Sequence, residues 1–232
     1  MEGYVSPDEL AKCIPVERGD SVLVASDVTY LCWLAYREGK TFDMDRLIDC
    51  LQEKVGTEGT LLFPTYNWKF CKGIPFDYRR TKSEVGSLSQ AALNRKDFTR
   101  TRHALYSFAV WGRDRDLLVS KNDRNSFAGD TPFDYFYHNG SKMIILNATL
   151  CFTFMHYVEE TIGVDEVFAA LVGGQGIACH VSVEGAEVVE IGLEEVGRDV
   201  AASRFLEHLQ RILIHARDGE CAGAVESGVD TE

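Results

Sequence analysis

The chain has 232 residues, 45% hydrophobic and 11% aromatic, with a net charge of −12. That composition excludes a disordered or low-complexity chain and gives the size of one large domain or two small ones. No internal period marks a repeat protein. The longest uncharged stretch, residues 167–183, is broken by Gly173, Gly174, Gln175, Gly176 and His180 and is too short for a membrane helix.

In chain order, Ser6, Pro7 and Glu9 form a helix start: a capping serine, a proline at the first helical position and a glutamate three residues on. Residues 21–25 are a short apolar run that reads as a buried strand. Ser26 and Asp27 follow and cap a helix to about residue 36. Asp43 caps the next helix, where Leu47, Ile48, Leu51 and Val55 recur at helical spacing. Gly59 leads into a second strand at 60–63, stopped by Pro64.

Residues 65–82 hold aromatic and basic residues with Gly73 and Pro75, the composition of a long functional loop. Ser87 and Gln90 read as a capping box opening a helix at 87–95. Residues 107–111 make a third strand, Asp130, Thr131 and Pro132 open another helix, and residues 143–146 make a fourth strand. A helix follows at about 152–163. Strand-then-helix alternation over the first 165 residues predicts an α/β sandwich. Beyond residue 164, residues 177–183 and 188–191 predict a hairpin. Residues 199–215 predict an amphipathic helix with Phe205, Leu209, Ile212 and Leu213 on one face. Residues 216–232 are small, acidic and expected to be disordered.

Charge is distributed unevenly. Residues 166–232 hold 13 acidic and 4 basic residues and no Lys, Pro, Trp or Tyr, which marks a divergent subregion within a single domain. Residues 69–115 hold 11 basic residues against Asp77, Glu84, Asp97 and Asp114, a net of +7. Such a segment concentrates an anionic ligand, either nucleic acid or a phosphate-rich cofactor, or is an ordinary solvated face. The acidity of the whole chain argues against nucleic acid. The seven cysteines contain no C-x-x-C pair, so the sequence implies buried free thiols rather than a metal site. With no apolar signal core in residues 1–10, these features predict a cytoplasmic protein.

Two constellations bear chemistry. On a helix, His156 shares a face with Glu159 and Glu160, which is a general-base dyad in outline or a surface ion pair. The turn at residues 25–28 offers helix N-terminal amides to a phosphate or carbonyl oxygen, or is a plain cap. Asp27 is a misplaced charge in the first reading.

Several blocks resemble one family. They are residues 59–68; Phe76, Asp77, Tyr78, Thr81, Ser83 and Gly86; residues 100–103 and 107–112; Asn125, Ser126 and Phe127; Thr131, Pro132 and Phe133; and residues 153–160. Their order and gaps over about residues 15–165 are similar to the aminoglycoside 3-N-acetyltransferase family. Within it they look most like members that N-acylate amino sugars of surface polysaccharides. The resemblance implies a three-layer α/β/α sandwich with a central mixed sheet. It implies acetyl-CoA or another acyl-CoA as co-substrate and no metal. It implies a small-molecule amine acceptor, an amino sugar or an aminoglycoside antibiotic, and leaves room for a homo-oligomer.

The family's T-x-x-H-x-x-E pattern falls on Thr153, His156 and Glu159, with His156 the general base and Glu159 orienting it. The CoA-contacting turn falls on Ser26, Asp27, Val28 and Thr29, with further cofactor-side positions at Thr65, Ser83, Thr101 and Ser107. Lys69 stands where close relatives carry an acidic residue. A catalytically degenerate CoA-binding or regulatory protein on the same fold is the alternative expectation.

Overall fold

A computed structural model describes residues 4–121, 124–147, 153, 154, 157, 177–182 and 187–192, the last two stretches by backbone alone. Helix α1 (Pro7–Cys13) opens on the expected capping box: the Ser6 hydroxyl accepts from the Glu9 amide, and the Glu9 carboxylate accepts from the Ser6 amide. Strand β1 (Ser21–Ser26) leads to α2 (Thr29–Arg37) and α3 (Met44–Val55). The Asp43 carboxylate accepts from the Arg46 amide and caps α3 as predicted. The apolar stripe of Leu47, Ile48, Leu51 and Val55 is buried. Each such side chain contributes about 1.5–3 kcal/mol on burial.

Strand β2 (Thr60–Pro64) runs parallel to β1, and Pro64 is its last paired residue rather than the stop after it. The expected loop over residues 65–82 contains a short 3₁₀ turn at Lys69–Lys72. Helix α4 (Ser87–Asn94) forms without the predicted Ser87 capping box. Its cap is Gly86, whose φ of 94° puts the backbone where a β-carbon is disfavoured. The Gln90 amide group instead accepts from the Ser83 N–H and donates to Asn94. The two-residue strand β3 (Thr99–Arg100) pairs antiparallel with β4 (Phe108–Gly112) and was not foreseen.

Helix α5 (Arg115–Ser120) follows, and α6 (Pro132–His138) is capped by Thr131. Strand β5 (Lys142–Leu146) precedes helical backbone at Thr153, Phe154 and Tyr157. Strands β6 (Ile177–Ser182) and β7 (Glu187–Gly192) form the predicted antiparallel hairpin. The predicted helix at 199–215 and the terminal segment 216–232 lie outside the described residues.

The seven strands form one mixed sheet in the order β3-β4-β2-β1-β5-β6-β7. Strands β2, β1, β5 and β6 are parallel, while β4 and β7 run against their neighbours. Side chains alternate between its two faces. Val22, Val24, Leu61, Phe63, Ala109, Ile144 and Leu146 pack with α1 to α4. Leu23, Leu62, Phe108, Val110 and Met143 pack with α5, α6 and Tyr157. Helices therefore cover both faces, which gives the three-layer α/β/α architecture. No described helix is long and apolar enough to cross a membrane.

Candidate active site at the carboxyl edge of the sheet

From β1 the chain passes through α2 and α3 to β2 on one side, and from β5 it passes to β6 on the other. The strand order thus reverses between β1 and β5. In open α/β sheets a ligand crevice forms at such a reversal, outside the carboxyl ends of the strands. Here those ends are Ser26 and Leu146, which are register partners. The Asp27 amide extends the pairing by donating to the Leu146 carbonyl at 2.8 Å. Beyond Leu146, Asn147 takes a φ of 53°, a left-handed turn unusual for a residue other than glycine. The sequence-predicted turn of residues 26–29 and the chain entering the His156 segment thus leave the sheet side by side. His156 and Glu159 themselves lie outside the described residues.

The first group of predicted contacts sits on the β1–α2 turn. The Ser26 hydroxyl oxygen is buried without a hydrogen-bond partner among the described residues. The Asp27 carboxylate accepts from the Thr29 amide at 2.9 Å, and hydrogen bonding from the Thr29 side chain and then from this amide holds its pKa below the usual carboxylate value. Asp27 thus caps its own turn, and Thr29 begins α2. Val28 is buried beneath them while Asp27 and Thr29 are exposed.

The second group gathers at the end of β2. Thr65 and Ser107 are fully buried, and their hydroxyls are 2.9 Å apart. The Ser107 hydroxyl also donates to the Thr65 carbonyl at 2.9 Å. The Thr101 hydroxyl accepts from the Phe108 amide at 2.9 Å. These three side chains are bonded within the protein rather than presented at its surface. Ser83 stands apart from them, and its hydroxyl accepts from the Val85 amide. The chain itself joins the two groups: the Glu84 amide donates to the Tyr66 carbonyl at 2.9 Å, and a β-carbon on Gly86 would meet the Ser26 carbonyl oxygen at 3.0 Å.

Arg100 organises the second group, a role not legible in its sequence position. Its Nε donates to Ser107 Oγ at 3.0 Å, its Nη2 to the Thr65 carbonyl at 2.8 Å and its Nη1 to the Thr81 carbonyl at 2.5 Å. The Phe76 ring covers the guanidinium at 4.7 Å, and the Tyr78 hydroxyl donates to the Arg100 carbonyl at 2.6 Å. Loop 65–82 is thereby tied down over the ends of β2 and β4. Nearby, His103 Nδ1 accepts from the Leu105 and Tyr106 amides, which fixes the imidazole with its proton on Nε2, facing Ser126.

The basic segment is less positive than its sequence count. Arg95 pairs with Asp45, Asp49 and Asp97, Arg113 with Asp114, and Arg115 with Asp116. What remains, beyond Lys96, Arg100 and Arg102, is loop 69–82. There Lys69 contacts Glu84 at 3.6 Å and Arg80 contacts Asp77 at 3.9 Å, while Lys72, Arg79 and Lys82 are exposed.

The helical segment after β5 is anchored from α6. Tyr157 is 2% exposed, and its hydroxyl donates to the Asp134 carboxylate at 2.9 Å. Its ring packs on Phe154 and Tyr137, with centroids at 5.8 and 5.9 Å. Neither Tyr157 nor Asp134 has an assigned role in the sequence pattern; an aromatic next to His156 inside the T-x-x-H-x-x-E pattern is the available signal.

Comparisons with known proteins agree with this geometry. The family model described as aminoglycoside 3-N-acetyltransferase matches residues 23–220. The structure is similar to that of YokD from Bacillus subtilis, at 19% identity and a TM-score of 0.58, over 68% of this chain and 70% of that one. It is similar to AAC-IIIb in a binary complex with CoASH, at 17% identity and a TM-score of 0.58, over 92% and 86% of the two chains. AAC-VIa bound to sisomicin aligns at 19% identity and a TM-score of 0.55, over 68% and 65%. Curated proteins gave no match. At these identities the solved structures show a shared fold, and the match over residues 23–220 shows more: the chain belongs to the aminoglycoside 3-N-acetyltransferase family of N-acyltransferases.

Proposed function

We propose that this protein moves an acyl group, acetyl as the simplest case, from acyl-CoA to the amine of an amino sugar or aminoglycoside, with His156 as general base. One observation carries the reading. The turn at residues 26–29 and the chain that leads on from β5 toward residue 156 leave the sheet from paired strands at its topological switch point.

The residues there fit an acyl-CoA. Ser26 has a buried hydroxyl without a partner among the described residues, Gly86 permits close approach of backbone, and exposed cations line loop 69–82. Ser26, Asp27, Val28 and Thr29 would hold the cofactor on the β1 side. Thr65, Thr101 and Ser107, bonded to one another or to backbone, would shape the other side, with Ser83 at its rim. The cofactor supplies an activated thioester. His156 accepts the proton of the acceptor amine, directly or through water, and Glu159 keeps the imidazole oriented and basic. The amine nitrogen then bonds to the thioester carbonyl carbon, the C–S bond breaks, and the sulfur departs as thiolate. The site's remaining task is to hold two substrates in line.

AAC-IIIb is named with CoASH and AAC-VIa with sisomicin, which supports both halves of the reaction by analogy. Between acceptor classes, the cationic loop with Lys69 favours an amino sugar of low positive charge, such as those built into surface polysaccharides, over a polycationic aminoglycoside. The test is thiol release from acetyl-CoA across a panel of both amine classes. His156→Ala should lower kcat by about a hundredfold or more. Transfer within a few-fold of wild type would overturn the assignment of His156.

A further inference from the structure

Among the described residues, Arg100 is the only Asp, Glu, Lys or Arg that is fully buried, at 4% exposure. Its three guanidinium hydrogen bonds end on the Ser107 hydroxyl and on the carbonyls of Thr65 and Thr81, all uncharged. No described carboxylate forms an ion pair with it, whereas Arg95, Arg46, Arg113 and Lys142 each have one. Burial pushes its pKa down to about 10, so it remains charged at neutral pH. Its surroundings add positive charge: Lys82 follows Thr81, Arg102 lies two residues on, and both are exposed.

A buried cation without an anion is expensive, several kcal/mol in a real protein. A clamp for loop 65–82 does not require it, because an uncharged amide or hydroxyl can donate to carbonyls at far smaller desolvation penalty. The charge lies at the carboxyl edge, one hydrogen bond from Thr65 and Ser107, at the end of β2, the strand beside β1. No described carboxylate is paired with it.

We propose that Arg100 is a positioning residue whose buried charge is a fixed positive pole for the phosphates of acyl-CoA. It acts through its field and through the Thr65–Ser107 pair it pins, not by direct contact. The proposal rests on the acyl-CoA reading of the site.

The test compares CoA with pantetheine, which has the same thiol arm and no phosphate, by calorimetric titration. Wild type should bind CoA more tightly than pantetheine. Arg100→Gln should weaken CoA by about tenfold, the effect of one charge near 10 Å at an effective dielectric constant of about 20. Pantetheine should stay within twofold, and Arg100→Lys, which keeps the charge, should keep the preference for CoA. Equal losses for both ligands in Arg100→Gln would make Arg100 a structural clamp and overturn the proposal. So would unchanged CoA affinity. If Arg100→Gln does not fold, Arg100→Lys decides: loss of the CoA preference overturns the proposal. Wild type that binds CoA and pantetheine equally removes the phosphate pole but leaves the acyl-CoA reading standing. Wild type that binds neither removes both.

Discussion

The two edges of the parallel strands are built differently. At the amino edge, charges are paired in place. Lys142 meets Asp20 at 2.8 Å, and Asp114 meets Arg113 at 2.9 Å. The Tyr135 hydroxyl donates to Asp114 at 2.7 Å and lies 2.9 Å from Ser21 Oγ, with burial pushing its pKa up to about 12. The Asp114 amide in turn donates to the Thr60 hydroxyl. Ser141 Oγ is the orphan atom of this edge. At the carboxyl edge, no described carboxylate pairs with Arg100, no described group bonds Ser26 Oγ, and Asn147 holds a left-handed backbone. The amino edge pairs its charges, with Ser141 Oγ its one exception among the described polar groups, and serves stability. The carboxyl edge holds unspent polar groups and backbone strain, which a fold tolerates where a ligand is to complete it. Substitutions at the two edges should therefore separate stability from activity.

The strongest attempt to break this contrast is at Gly112. Its φ is 109°, and an added β-carbon would fall on the Gly59 carbonyl oxygen, 2.8 Å from Thr60 Cα. Both neighbours are backbone and cannot swing away. Gly59 is itself enclosed, since a β-carbon there would meet Val55 Cβ at 2.5 Å. Gly112→Ala should cost at least about 4 kcal/mol in urea unfolding or abolish folding. A wild-type midpoint would show that the amino edge is not a tight seam.

Next in size is a loss of rate without a matching loss of stability. Tyr157→Phe keeps the ring among Phe154 and Tyr137 and removes the hydroxyl bond to Asp134. Asp134 retains other partners: His138 Nε2 at 3.4 Å and the Asp130 amide at 3.2 Å. Residue 156 is one peptide bond from this anchor. Turnover should fall about tenfold, because small displacements of a catalytic group are costly. The KM for acetyl-CoA should hold, and the melting temperature should shift by no more than about 4 °C. Unchanged kcat would mean that α6 does not position the His156 segment.

Much of this fold was legible because local chemistry and tertiary placement agree. The cap at Asp43, the stripe from Leu47 to Val55 and the apolar runs of β1, β2 and β5 each specify their element and its buried face. The 177–192 hairpin was legible from its two apolar runs and the turn between them. The start of α4 was misread because Ser87 and Gln90 have the right spacing, while the glycine before them provides the cap and Gln90 turns back to Ser83. In the site, hydroxyl-bearing positions were legible through the family pattern, but their burial was not. Thr65 and Ser107 look like surface contacts in a sequence, and only the antiparallel return of β4 beside β2 encloses them. Arg100 was counted as one cation among eleven. Its burial without an ion pair to any described carboxylate is a long-range property that no local pattern encodes.

The finest test of the contrast uses pH. Hydrogen bonds from Arg113 and then from Tyr135 hold the Asp114 carboxyl below the usual carboxylate range, against burial that raises it. Its folded pKa therefore lies below its unfolded value of about 3.9. A group shifted in this direction stabilises the fold above the unfolded pKa, and that stability is lost as pH falls through the folded value. Asp114→Asn removes the titration while leaving an acceptor for Tyr135. At pH 7 it should melt about 2–4 °C below wild type, and the gap should close as pH falls below about 4. Acyl transfer at pH 7 should stay within twofold of wild type, because Asp114 lies at the edge away from the crevice. A gap that persists unchanged at pH 3 would show that Asp114 does not titrate with folding. A large loss of transfer at pH 7 would show that the amino edge is not reserved for stability, and the division between the two edges would fail there first.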